Sequence, residues 1–273
     1  KTVSEKNGLV FDSVDTGDIE AVRRRLRKET KAVFVETPTN PLMQVTDIEA
    51  LSRLLKGTGV LLIVDNTFLT PRFQRPLELG ADVVVHSGTK YLGGHNDTLA
   101  GFLVTNRPEV AERLRQLYKT IGACLSPFDS WLIVRGLKTL SVRVERQAET
   151  AQALALWLRE HPKVTRVYYP GLPDHPGHEV MRRQASGFGG MVSFRVDSEE
   201  TAVKVLERVR LIQYAESLGG TESLITYPVL QTHADLPEEV RRAKGIDGRL
   251  LRLSVGLDSA RDLMEDLGQA MEG

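Results

Sequence analysis

Short apolar runs alternate with longer amphipathic stretches along the N-terminal part of the chain, and this alternation predicts most of its elements. Asp18 to Glu29 puts Ile19, Val22 and Leu26 on one helical face, and Lys31 to Glu36 reads as a strand running into the turn-forming segment Thr37-Pro38-Thr39-Asn40-Pro41. A helix over Asp47 to Lys56 leads to the strand Val60-Leu61-Leu62-Ile63-Val64, closed by Asp65-Asn66. Another short helix, containing Leu77, leads to Val83-Val84-Val85, and Ala100 to Val104 reads as a further strand. Continuous β-branched runs separated by helices imply a parallel sheet covered on both faces, because such strands bury both sides.

From Pro127 to His161 the chain has no proline beyond the first residue and no glycine except Gly136, with Trp131, Val134, Leu137, Leu140 and Val144 at helical spacing. The spacing predicts one long helix that joins two domains, with the boundary inside it: residues 1–140 form an α/β unit and residues 141–273 a smaller α+β unit. The strands of the second unit are expected at Val164 to Tyr168, Met191 to Val196 and Leu250 to Val255, with helices at Glu199 to Val209 and Ser259 to Met271.

Composition narrows the function classes. The 273 residues allow about two domains at roughly 150 residues each, and 41% are hydrophobic. Lys+Arg and Asp+Glu both number 36, so no net field draws the chain to nucleic acid or an anionic membrane. A single cysteine, Cys124, rules out an intrachain disulfide and fits a reducing cytoplasm. The apolar runs are far shorter than the roughly 20 residues of a membrane helix, and the N-terminal residues lack the apolar core of a signal peptide.

In open α/β sheets ligands bind beyond the carboxyl ends of the strands. Asn40 follows the first strand, Asp65 the second, and Ser87, Thr89 and Lys90 the third, within Ser87-Gly88-Thr89-Lys90-Tyr91-Leu92-Gly93-Gly94-His95-Asn96-Asp97. Lys90 is either an exposed amine or one partly desolvated in a cleft, where a lowered pKa suits Schiff-base chemistry. The segment lacks the Gly-x-x-x-x-Gly-Lys-Ser/Thr of a nucleotide P-loop. Asp65 closes an apolar strand, where it serves a turn or meets a cation. Pyridoxal phosphate needs this pairing: a lysine for its aldehyde and an acid that keeps its ring nitrogen protonated.

Arg252 interrupts the apolar run Leu250 to Val255 and so serves either a structural ion pair or a carboxylate ligand. Ala215-Glu216-Ser217-Leu218-Gly219-Gly220 is a loop whose backbone can approach a ligand, or a simple turn. His175 and His178 have no partner group suited to a metal site, Cys124 reads as a small packing residue, and Arg23-Arg24-Arg25 with Arg27-Lys28 read as the solvated face of the first helix.

At these residues the sequence resembles the Cys/Met-metabolism family of pyridoxal-phosphate enzymes, the trans-sulfuration synthases, thiolyases and lyases. The resemblance rests on Glu36-Thr37-Pro38-Thr39-Asn40-Pro41, Val64-Asp65-Asn66-Thr67-Phe68, Ser87-Gly88-Thr89-Lys90-Tyr91, Gly94-His95-Asn96-Asp97, Glu216-Ser217-Leu218-Gly219-Gly220 and Arg252-Leu253-Ser254-Val255-Gly256, in the family's order. It implies an aspartate-aminotransferase-like large domain with a mostly parallel sheet, and pyridoxal 5'-phosphate carried on Lys90. It further implies Asp65 on the pyridine nitrogen, Ser87 and Thr89 on the phosphate with Gly88 between them, and Asn40 near the cofactor. Asn40 and Arg252 would hold the substrate α-carboxylate, Ser217 would position Lys90 or substrate, and Glu216 matches a substrate-selecting position. Gly88 stands where the family usually has Ala or Val, a change expected to loosen the turn.

The family also has an N-terminal stretch with a glycine-rich phosphate cup, a ring-stacking tyrosine, and Tyr and Arg groups offered to a neighbouring subunit. The sequence begins at Lys1, beyond that stretch, so the natural protein is expected to be longer. Within the family, Thr226 to Asp235 together with Leu92-Gly93-Gly94-His95-Asn96-Asp97 is most similar to the bacterial cystathionine γ-synthase and O-acetylhomoserine thiolyase branch. This implies γ-replacement on an O-acylhomoserine by cysteine or sulfide, in a cytoplasmic homotetramer whose dimers share active sites. The alternatives are a cystathionine β- or γ-lyase, and a truncated non-catalytic subunit.

Overall fold

The structure is a computed structural model and describes residues 5–272. Its first sheet has the order β1-β2-β3-β4, with β1 at Ala32–Glu36, β2 at Leu61–Asp65, β3 at Val83–Ser87 and β4 at Gly101–Val104. The first three strands run parallel, with Glu36 opposite Asp65 and Asp65 opposite Val85. β4 runs antiparallel to β3, pairing Ser87 with Gly101. A short apolar run looks the same in either direction, so periodicity did not reveal this reversal.

The helices Ile19–Arg25 and Ile48–Leu55 start on Asp18 and Asp47, whose carboxylates accept backbone N–H bonds of the first turn. Their apolar stripes pack Val22, Ile48 and Leu51 onto Val35, Leu62, Val64 and Val84. The opposite side is less covered than expected. Among the described residues, Phe34 and Leu103 remain 58% and 55% exposed.

Two expected helices are shorter. The first ends at Arg25, where Leu26 turns extended, so Arg27 and Lys28 lie outside it. Near Leu77 the helix is only Thr70–Phe73, and residues 76–80 form turns after Pro76. The long helix also divides, into Pro127–Leu137 and Leu140–Glu160. The buried Arg143 binds across the break, donating from Nη2 to the Gly136 carbonyl, from Nε to the Thr139 hydroxyl and from Nη1 to the Tyr91 carbonyl.

Leu140–Glu160 links the two sheets: Leu140 and Val144 pack with Tyr91, Leu92 and Leu218, while Leu154 and Leu158 enter the second core. The proposed domain division at 140/141 falls at the N-terminus of this helix. The second sheet has the order β5-β6-β9-β8-β7, formed by Val164–Tyr168, Met191–Val196, Leu250–Ser254, Leu224–Thr226 and Gln213–Tyr214. Its neighbours are antiparallel except β7 and β8. Val205, Leu263 and Leu267, from the helices Glu199–Arg208 and Ala260–Glu272, pack in one core with Phe194, Leu251 and Leu253 of this sheet.

Sequence periodicity missed the helices Pro108–Ile121, His178–Gln184 and Glu238–Ala243 and the short strands β7 and β8. Pro108 at the start of the first and Gly122 in the left-handed conformation at its end were readable signals. No helix among the described residues is long and apolar enough to cross a membrane.

Candidate active site

The ends of β1, β2 and β3 face the middle of β9 across a cavity of about 400 Å³. Its lining brings together Asn40, Asp65, Ser87, Lys90, Glu216, Ser217 and Arg252. Parallel strands end on one edge, which is why residues from separate strand ends converge here. A larger cleft of about 810 Å³ lies elsewhere, between β5 and the loops at Val45 and Gly177. It holds none of these residues.

Lys90 lies in the helical turn Gly88–Leu92 directly after β3, and its Nζ donates to the Ser217 hydroxyl at 3.3 Å. Burial pushes its pKa below the usual lysine range, the Arg252 charge pushes it further, and Glu216 opposes both. The cavity therefore eases deprotonation of this amine. The Asp65 Oδ1 accepts from the Thr67 backbone at 2.9 Å, so its turn role is realised too. The Thr67 hydroxyl accepts from the Ser87 backbone at 2.8 Å, tying the ends of β2 and β3 together.

Arg252 is 1% exposed. Its guanidinium donates to Asn40 Oδ1 at 2.9 Å, to the carbonyls of Glu216 and Ser217 at 2.8 and 3.1 Å, and to the Thr226 hydroxyl at 2.9 Å. All these partners are uncharged, and Nε has none. Burial lowers its pKa to about 10, opposed by Tyr91, Glu216 and Glu36. A structural ion pair is thus not what holds Arg252. A buried guanidinium without a bonded carboxylate suits a ligand that supplies one.

Gly88 and Thr89 are not on the lining. The Thr89 hydroxyl accepts from the Ala100 N–H at 3.0 Å and donates to the Ala100 carbonyl at 3.3 Å. Gly88 does not loosen the turn: a Cβ there would lie 2.5 Å from the Phe102 ring and 2.8 Å from the Ala100 side chain, so neighbouring groups already fill the space.

Gly219 makes the Glu216 loop more than a simple turn. Its φ is +79°, and a Cβ on it would lie 2.7 Å from the Tyr91 nitrogen and 3.1 Å from the Lys90 carbonyl carbon. The loop therefore rests on the backbone that presents Lys90. Gln147 holds it from below, donating to the Gly220 carbonyl at 2.7 Å. Gly219→Ala is expected to lower stability by about 2 kcal/mol, from left-handed strain and the close contact, and to reduce kcat through displacement of Lys90. Thermal unfolding together with steady-state kinetics checks it, and a variant unchanged in both contradicts the packing argument.

Sequence reasoning gave no role to Glu36, Thr67, Phe68, Leu218 or Thr232, which also line the cavity. Glu36 was legible as the start of a motif, but its place beside Asp65 depends on strand register. Its Oε2 accepts the Asn40 N–H at 3.0 Å. Burial raises its pKa to about 7; the Asn40 bond lowers it, Asp65 raises it and Arg252 lowers it.

The remaining candidates have other surroundings. Cys124 is exposed and does not pack, because it follows the surface helix Pro108–Ile121. His178 bonds the Pro170 carbonyl through Nδ1 and stacks on Phe188, while His175 Nδ1 accepts the Gly177 N–H. Arg23, Arg24, Arg25 and Arg27 pair with Glu20, Asp18 and Asp12 at the surface.

The chemistry of the cavity lining suits pyridoxal 5'-phosphate. It offers an amine of lowered proton affinity, a strand-end carboxylate, the hydroxyl-bearing Ser87, and a buried guanidinium lacking a bonded counter-charge.

Comparisons with known proteins agree. The chain is 52% identical over 267 residues to the cystathionine γ-synthase/O-acetylhomoserine (thiol)-lyase of Bacillus subtilis, covering 98% of this chain and 67% of that one. It is 49% identical over 270 residues to the cystathionine γ-lyase of the same organism, covering 99% and 71%. The crystal structure of cystathionine γ-lyase from Lactobacillus plantarum complexed with L-serine superposes with a TM-score of 0.96 at 42% identity, covering 98% of this chain and 71% of that one. With that fold goes the type I architecture expected from the sequence. The family described as Cys/Met metabolism PLP-dependent enzyme matches residues 1–272, and with an amine, an acid and a guanidinium lining one cavity, the chain belongs to this pyridoxal-phosphate-dependent family.

Proposed function

We propose that this trans-sulfuration enzyme performs γ-replacement: the C–O bond at Cγ of an O-acylhomoserine breaks, the carboxylic acid leaves, and a C–S bond forms. Cysteine as the thiol gives cystathionine, and sulfide gives homocysteine. The carrying observation is the 52% identity to the Bacillus subtilis relative whose name states both the γ-synthase and the O-acetylhomoserine thiol-lyase activities.

Bound pyridoxal phosphate supplies an electron sink for charge developing on the substrate carbons. Lys90 would hold the cofactor, with Asp65 at its ring nitrogen, Ser87 and Thr89 at its phosphate, and Gly88 and Asn40 alongside. In this reading Thr89 exchanges its bond to Ala100 for the phosphate. Lys90 then moves protons at Cα and Cβ as general base and acid. Its lowered pKa suits the base form, and the Ser217 hydroxyl at 3.3 Å keeps the amine over the cavity between transfers. Arg252 and Asn40 hold the α-carboxylate and so fix Cα within reach of Lys90, while Glu216 selects among substrates at the mouth.

Cystathionine β- or γ-lyase activity is the second reading, favoured by the 49% identity to the Bacillus subtilis γ-lyase and by the Lactobacillus plantarum structure. The reading extends to a cytoplasmic homotetramer of site-sharing dimers. In that assembly the exposed Phe128, Trp131 and Val134 of the helix Pro127–Leu137 would be covered by a subunit contact.

Incubating the full-length protein and pyridoxal phosphate with O-acetyl- or O-succinylhomoserine plus cysteine is expected to give cystathionine by mass. Cystathionine incubated alone is expected to give little oxo acid. The reverse pattern makes the enzyme a lyase, and a protein that takes up no cofactor is a non-catalytic subunit.

A further inference from the structure

Glu36 takes no part in the proposed reaction, yet it sits in the cavity at the end of β1, in register with Asp65. It also starts a chain of contacts. Its carboxylate accepts the Asn40 N–H at 3.0 Å, and the Asn40 side chain accepts from Arg252 at 2.9 Å. Glu36 therefore braces the loop that puts Asn40 against the guanidinium.

The charges around it come from every neighbouring element. Asp65 on β2 opposes its ionisation, and Arg252 on β9 favours it. Lys90, on the turn after β3, and Glu216, on the loop before β8, line the same cavity. His86 on β3 lies near Asp65, and His233 near Arg252; burial favours the neutral form of both.

We propose that Glu36 couples binding of the substrate's carboxylate to uptake of one proton from solvent. The inference rests on the reading of Arg252 and Asn40 as the carboxylate clamp. Before substrate binds, the Arg252 charge helps keep Glu36 ionised. An arriving carboxylate neutralises that charge and adds a negative group to the cavity that Glu36 and Asp65 line, so an ionised Glu36 loses its counterpart and is repelled. Protonation relieves this without dismantling the clamp, because the carbonyl oxygen of the neutral acid still accepts the Asn40 N–H. Proton uptake on binding and weaker binding as pH rises are the same coupling seen from two sides. Since burial places the Glu36 pKa at about 7, the effect falls near neutral pH.

The test uses the full-length holoenzyme and butyrate, a carboxylate without the amine needed for reaction. Its inhibition constant for the wild-type enzyme is expected to rise roughly fivefold from about pH 6 to pH 8. Binding near pH 7 in weak buffer is expected to take up a measurable fraction of a proton per site. In Glu36→Gln, which keeps an oxygen acceptor for Asn40, both effects are expected to fall to the part that Lys90 and the cofactor contribute. Lys90 and the cofactor titrate in both enzymes, so the difference between them isolates Glu36. A pH-independent inhibition constant or no proton uptake in the wild type overturns the inference, as does a wild-type slope in Glu36→Gln. Those results leave the clamp standing if Arg252→Lys weakens butyrate at every pH. Butyrate that fails to bind, or binds Arg252→Lys as tightly, overturns the clamp itself and this inference with it.

Discussion

Lys90→Ala is expected to abolish turnover, lowering kcat by on the order of 10³ or more, because in the proposed reaction one amine would both hold the cofactor and move the protons. No neighbour replaces it: Ser217 offers a hydroxyl, and the Arg252 guanidinium stays protonated in the working pH range. The fold should survive. The backbone of the turn is held by the Gly219 contact and by Arg143 on the Tyr91 carbonyl, neither of which uses the Lys90 side chain. Two measurements check this together. Borohydride treatment followed by mass analysis should add the cofactor to wild-type chain and nothing to the variant, while thermal unfolding remains close to wild type. Full activity in Lys90→Ala removes the assignment.

The second large effect is expected at Arg252. Arg252→Lys keeps the charge but loses the fork that spans Asn40, the Glu216 and Ser217 carbonyls and Thr226. A lysine offers one point charge where the proposed clamp would make two parallel bonds to a carboxylate. The expected loss in kcat/KM is about 100-fold, corresponding to roughly 3 kcal/mol for a buried charge-assisted contact. The larger share is expected in KM. Alanine is the less informative change, because it also leaves several buried acceptors unpaired, at about 1–3 kcal/mol each. Steady-state kinetics with unfolding curves separate the two effects. A lysine variant with wild-type KM shows that another group holds the carboxylate.

Much of the fold was readable where the physical cause is local. The runs at Leu61 to Val64, Val83 to Val85 and Met191 to Val196 are strands because apolar β-branched residues suit a buried sheet. Helices with caps at Asp18, Asp47 and Ser198 were found at those positions. The break at Lys138 and Thr139 was not readable, since it is tied by Arg143 to the Lys90 turn, which lies far away in the chain. Strands β7 and β8 were too short for a period to show.

By itself the sequence determined which residue types follow each strand, and the motifs around Asn40, Asp65, Lys90, Ser217 and Arg252 were enough to identify the family and its cofactor. Side-chain chemistry and short spacings are written in the chain itself. Tertiary structure decided the direction of β4, the division of the long helix, and the meeting of β9 with the ends of the first sheet. It also decided the electrostatics. Among the described residues Arg252 has no bonded carboxylate, and burial raises the Glu36 pKa to about 7. These depend on burial and on distances between residues remote in sequence, and desolvation and Coulomb energies exist only once those groups share a cavity.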